Sequence, residues 1–98
     1  MACEIEPGFD PVEVRYQAAG LMMDITIIGY YEGKPYTLTY IDWIGEFNRT
    51  LTFEDPGTAH LTITNKDGGN IVGAIYEDGR KINYQVDPVF VEITRAIE

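Results

Sequence analysis

Ninety-eight residues allow a single domain and enough chain to bury one core. With 45% hydrophobic and 23% charged residues the composition is that of a globular chain, which excludes a disordered tail and a membrane-embedded bundle. Sixteen acidic against seven basic residues give a formal charge of -9, and nucleic acid is thereby excluded as the expected partner, because phosphate binding relies on clustered cations.

The chain opens on residues 1–11, read as an irregular acidic lead-in that contains Cys3, Glu4 and Glu6. No basic, apolar secretory signal stands at this start, and the longest apolar stretch, Leu21 to Tyr31, is too short to span a bilayer and is broken by Asp24. The expectation is therefore a cytoplasmic or virion protein without a transmembrane segment. Cys3 is the only cysteine, so neither an intramolecular disulfide nor a multi-cysteine zinc site can form. Ala2-Cys3 also has the look of a trimmed bacterial lipoprotein signal, which would make Cys3 a lipid anchor and place the protein in the cell envelope. The alternative is an unpaired terminal thiol.

From residue 12 onward the pattern is that of strands, and residues 12–98 are read as one β domain. Val12, Val14, Tyr16 and Ala18 alternate with Glu13, Arg15 and Gln17, the period of a strand with one buried face. Leu21, Met23, Ile25 and Ile27 carry the alternation on after Gly20, and Glu32-Gly33-Lys34-Pro35 supplies a turn. In the next run Leu38 and Tyr40 share one phase and Ile41 and Trp43 the other, which predicts a bulge near Asp42.

Phe47, Leu51 and Phe53 form a further alternating set that ends at Glu54-Asp55-Pro56-Gly57. Ala59, Leu61 and Ile63 then oppose Thr58, His60, Thr62 and Thr64, and Lys66-Asp67-Gly68-Gly69 closes that strand with hairpin residues. Ile71 to Tyr76 is apolar or small in both phases, as in a central strand, and Asp78-Gly79 is the strongest hairpin signal in the chain. Ile82, Tyr84 and Val86 return. After Asp87-Pro88 the last run puts Val89, Val91, Ile93 and Ile97 on one face. No apolar set recurs at helical spacing. The expected fold is all-β, a single immunoglobulin-like antiparallel β-sandwich of seven or eight strands.

Val14-Arg15-Tyr16, Gly20, Asp24-Ile25-Thr26, Gly33-Lys34-Pro35, Trp43 and Asp78-Gly79 resemble, over about residues 12–84, the small mycobacterial membrane protein family (MmpS) and similar bacterial sandwich domains. The resemblance implies a small β-sandwich and an accessory role beside a lipid-exporting transporter. Members of that family carry an N-terminal membrane helix and cysteines within the sandwich; neither stands in these residues, so the fold is the chief expectation transferred.

The chemistry-bearing residues are few. His60 is the sole histidine and falls on the hydroxyl-bearing face of its strand, the place of an ordinary surface imidazole. Neither a nucleophile elbow, a zinc-protease helix nor a phosphate-cradling glycine loop occurs, so the reading assigns no catalytic residue, no metal ligand and no cofactor. Calcium could find oxygen ligands at Asn65–Asn70 or around Glu77 and Asp78, but hairpin chemistry explains these residues equally well and the twelve-residue calcium-loop spacing is not met. Tyr30, Tyr31, Tyr36, Tyr40 and Trp43 gather around one hairpin, and Tyr31, Tyr36 and Trp43 are the candidate binding surface. Asn48-Arg49-Thr50 matches a glycosylation sequon, read as coincidental. The expected function is a non-catalytic interaction module, a structural or adhesive component of a bacterial or phage assembly that contacts other proteins, with self-association open. An envelope accessory protein anchored through Cys3 and a carbohydrate-binding module are the alternatives.

Overall fold

A computed structural model describes residues 11–31 and 34–97. Cys3 and the acidic lead-in through residue 10 lie outside the described residues. Six strands follow one another: β1 (Val12–Tyr31), β2 (Lys34–Phe53), β3 (Gly57–Asn65), β4 (Ile71–Glu77), β5 (Arg80–Asp87) and β6 (Phe90–Ile97). The seven or eight strands expected from the pattern reduce to six because two phase changes that look like strand ends are bulges inside long strands. Gly20 pairs with Gly45, Met23 with Trp43 and Ile25 with Tyr40. The first step adds one residue on β1 and the second adds one on β2, so the ladder recovers its register. Each extra residue flips the side chains of its own strand to the other face. The bulge expected near Asp42 is present, with Asp42 at φ 55°.

β1 is the organising strand. β2 pairs along the whole of one side of it, while on the other side β4 pairs with 14–19 and β3 with 23–30. The outer neighbours are β5 beside β4 and β6 beside β3. Thus β3 and β4 lie end to end along β1, so the Lys66–Gly69 turn, expected to close a hairpin, connects two strands that do not pair with each other.

This pairing forces the sheet to fold. Val12 pairs with Phe53 and Tyr30 with Thr58. A straight strand would hold Val12 and Tyr30 roughly 60 Å apart at about 3.3 Å per residue, but the chain from Phe53 to Thr58 reaches at most about 18 Å. β1 and β2 therefore bend sharply at their bulges and bring their halves face to face. The Tyr16 hydroxyl, from one half, donates to the Ile28 carbonyl in the other at 3.2 Å. Leu51 and Phe53 reach within 3.2 Å of where a Cβ on Gly29 would stand. Glu77 of β4 and Arg95 of β6 face each other across the fold at 3.6 Å. The result is one antiparallel, nearly barrel-like sheet wrapped around its own inner face.

The inner face holds the core: Val14, Tyr16 and Ala18 from one half of β1, Met23, Ile25 and Ile27 from the other, all fully buried. Phe53, Leu61, Ile63, Ile71, Ile75 and Val91 fill the space between, and no polar residue is buried among the described residues. Val91, Ile93 and Ile97 occupy the expected face of β6, whereas Val89, expected with them, precedes the strand and is exposed. The Asp78-Gly79 hairpin forms as read, both residues at positive φ, and joins β4 to β5. No helix among the described residues is long and apolar enough to cross a membrane.

Candidate functional site

Asp24, the acid inside the most apolar run, belongs to the crease of the folded sheet. Its Oδ1 accepts the backbone N–H of Asp42 at 3.0 Å, which fixes the left-handed bulge of β2. Lys66 donates to Asp42 Oδ1 at 2.6 Å and lies 3.6 Å from Asp24 Oδ1. The hydrogen bond to Asp42, helped by the charges of both aspartates, holds the Lys66 ammonium above its usual range against the opposing effect of desolvation. Around this clasp Leu21, Ile41, Ile44 and Val89 are all more than half exposed.

Within the aromatic set Tyr31, Tyr36 and Trp43, Trp43 packs against its neighbours while Tyr36 is exposed. Trp43 is only partly accessible: its ring meets Tyr40 edge-on at 5.6 Å and Phe47 at 5.3 Å, and its indole N–H donates to the Glu46 carbonyl at 2.9 Å. Tyr40 in turn packs on Phe47 at 4.7 Å. The bulge explains this, because it turns Trp43 into the core-facing phase shared with Phe47 and Leu51. Tyr36 is exposed, seven residues nearer the hairpin tip. Tyr31 is placed by its backbone pairing with Lys34, and its side chain lies outside the described residues.

His60 sits on the outer face of β3, as its phase implies. Its Nδ1 is 2.8 Å from Thr94 Oγ1 and its Nε2 is 3.4 Å from Glu92, so the ring serves as a cross-strand contact between β3 and β6. In the 65–70 connection side-chain oxygens close turns: Asn65 Oδ1 accepts Asp67 N–H, and Asp67 Oδ1 accepts Gly68 N–H. The Asn65 amide donates to the Gly69 and Pro88 carbonyls. No group of three or more His, Cys, Asp or Glu that could hold a metal ion occurs among the described residues.

On the outer face of the β5–β4–β1 layer the cations lie over aromatic rings. Arg15 stands 4.1 Å from the Tyr76 ring, Lys81 stands 4.2 Å from Tyr84, and the Tyr76 hydroxyl donates to Gln17 Oε1 at 2.8 Å. These are cross-strand and same-strand pairs of an exposed sheet face.

The most distinctive surface is the free edge of β2. Among the described residues this strand pairs only with β1, so along it alternate backbone N–H and C=O groups point away from the sheet. Its last third contains Glu46 and Arg49, and Arg49, although in the core-facing phase of Phe47 and Leu51, is exposed. Charges in such places discourage strand addition. Tyr36-Thr37-Leu38-Thr39-Tyr40-Ile41 has none: it is six residues of β-branched, aromatic and aliphatic side chains without charge, proline or glycine. Composition hints at this segment, but only the topology shows it to be an edge. No protein-family model matches the chain, and no curated protein matches it.

Proposed function

We propose that this protein is a non-catalytic contact module, a structural or adhesive component of a larger bacterial or phage assembly, with its folded sheet serving as a two-layer, immunoglobulin-like sandwich. The observation that carries this reading is the open, uncharged edge of β2 at Tyr36–Ile41, a template for main-chain hydrogen bonding to another strand. The exposed Leu21, Ile41, Ile44 and Val89 at the adjoining crease add apolar area. The use of His60 in strand-to-strand contacts supports the same reading over a catalytic one.

The test is size fractionation of an extract of the native source, followed by deletion of the gene. The chain should migrate with an assembly several times its own mass, and that assembly should be incomplete without it. Migration as the free chain, with every large complex intact after deletion, would refute the proposal.

A further inference from the structure

We infer that the Tyr36–Ile41 edge of β2 pairs with the same edge of a second copy, antiparallel about a two-fold axis at Leu38, joining two folded sheets into one continuous sheet. This names the partner for the contact reading above and rests on it.

The three other free-edge stretches carry charge within their paired length: Glu46 and Arg49 in the rest of β2, Arg80 and Lys81 in β5, and Glu92 and Arg95 in β6. In a chain of formal charge -9, two copies repel on approach, and Tyr36–Ile41 is the longest uncharged run on these edges, six residues against five at Ile82–Val86 of β5. The core-facing row there is also unfinished. Ile25 and Ile27 on β1 are fully buried, whereas Leu38 and Tyr40 beside them are only half-buried and Tyr36 is exposed. A strand added at this edge would cover that row.

Symmetry selects the register. Directly opposed residues of an antiparallel ladder point to the same face, so a two-fold axis normal to the sheet must pass through one residue facing its own copy. An axis at Leu38 opposes Leu38 to Leu38, Tyr36 to Tyr40 and Thr37 to Thr39. All three are favourable cross-strand pairs, and the first two lie on the face continuous with the core. Moving the axis to Thr39 opposes Tyr36 to Asp42, whose left-handed backbone ends the extended segment.

Two six-residue edges make a small interface, so the dimer is expected to form at roughly 0.1–1 mM. Sedimentation equilibrium of the purified chain should show the mass rising toward twice the monomer over that range. Thr37→Lys/Thr39→Lys and Thr37→Glu/Thr39→Glu should each remain monomeric with unchanged far-ultraviolet dichroism, since both threonines are exposed. The two variants mixed should associate at least tenfold more tightly than either alone. The lysine variant lowers the net negative charge, so its loss of association cannot come from overall repulsion. Thr50→Lys/Thr52→Lys, on the other half of β2, should dimerise like the parent. A parent chain that stays monomeric through 1 mM, a lysine variant that still dimerises, a mixture that does not associate, or equal loss in the Thr50/Thr52 control would each overturn the inference. A monomeric parent within an intact native assembly would remove this inference and leave the contact reading standing.

Discussion

Gly73 offers the most direct measure of how closely the two halves of the sheet approach. It lies on β4 opposite Ala18, in the core-facing phase, and a Cβ placed there would stand 2.7 Å from Val91 Cγ1 and 2.9 Å from Ile63 Cδ1. Both atoms belong to strands of the opposing half and are themselves buried, so neither can swing into solvent. Gly73→Ala should gain about 0.5–1 kcal/mol by removing glycine from a strand and lose about 1–3 kcal/mol to overpacking, a net destabilisation near 1–2 kcal/mol. In a chain of this size that lowers the melting temperature by about 5–15 °C. Gly68→Ala is the matched control, because no atom lies within 4 Å of the added methyl and its φ is not left-handed; it should be neutral or stabilising by up to about 1 kcal/mol. Adding Ile63→Val removes one of the two clashing atoms, so the double variant should recover about 0.5–1 kcal/mol relative to additivity. Urea denaturation of the parent, the three single variants and the double variant reads all of this. Gly73→Ala as stable as Gly68→Ala, or strict additivity with Ile63→Val, would refute the face-to-face packing.

Tyr16→Phe removes the hydroxyl that joins the two halves of β1 through the Ile28 carbonyl and should cost about 1 kcal/mol by urea denaturation, with circular dichroism unchanged. Asp87 accepts the backbone N–H groups of Phe90 and Val89, foremost Phe90, and these bonds hold its carboxyl below the ordinary 3.8. Its contribution is therefore present above that value and is lost as pH falls through the depressed folded value, so the gap in melting temperature between parent and Asp87→Ala should close as pH falls below 3.8. Lys66 has the opposite sign: its raised value makes the clasp with Asp42 and Asp24 fully present below 10.5 and lost as pH rises through the folded value. The stability difference from Lys66→Gln should persist at neutral pH and vanish in alkali, and it should shrink in high salt because the cluster is exposed.

Much of the inner face is written in the period-two pattern. Val12, Val14, Tyr16 and Ala18, then Met23, Ile25 and Ile27, are buried in β1, whereas Leu21, expected with the second set, lies at the bulge and is exposed; the threonines of β3 face outward as their spacing implies. The strand count was not legible because a bulge and a strand end leave the same local trace: both shift the hydrophobic phase by one residue. Only the pairing partner distinguishes them, and pairing in this fold is long-range, as with Met23 against Trp43 on one side and Asn65 on the other. The connection after β3 misleads for a similar reason. Lys66–Gly69 has the residues of a hairpin turn, but a central β1 already occupies the side on which β4 would fold back. Tyr31, Tyr36 and Trp43 are near in sequence, but the bulge at Asp42 turns Trp43 into the row of Phe47 and Leu51, which local spacing does not reveal.

The bulge also links fold to function. By closing the sheet on itself it lets β1 be covered on both sides, and it leaves β2 with no second neighbour among the described residues. Beyond the bulge that edge is guarded by Glu46 and Arg49; before it, nothing in Tyr36–Ile41 opposes a partner. An unguarded edge invites open-ended association unless something limits it. Here Asp42, pinned in left-handed geometry by Asp24, ends the extended segment on one side, and Pro35, which has no N–H to donate, bounds it on the other. A ladder confined between those two residues and closed by a two-fold axis uses up the edge it needs, so its product is a discrete dimer and not a fibre. Replacing Asp24 with Ala should therefore do more than loosen the crease. Without its acceptor the bulge can relax toward extended backbone and lengthen the usable edge past Ile41. The expected outcome is species larger than the dimer in sedimentation at concentrations where the parent stops at two copies. An Asp24→Ala protein that also stops at two would show that the bulge does not set the limit.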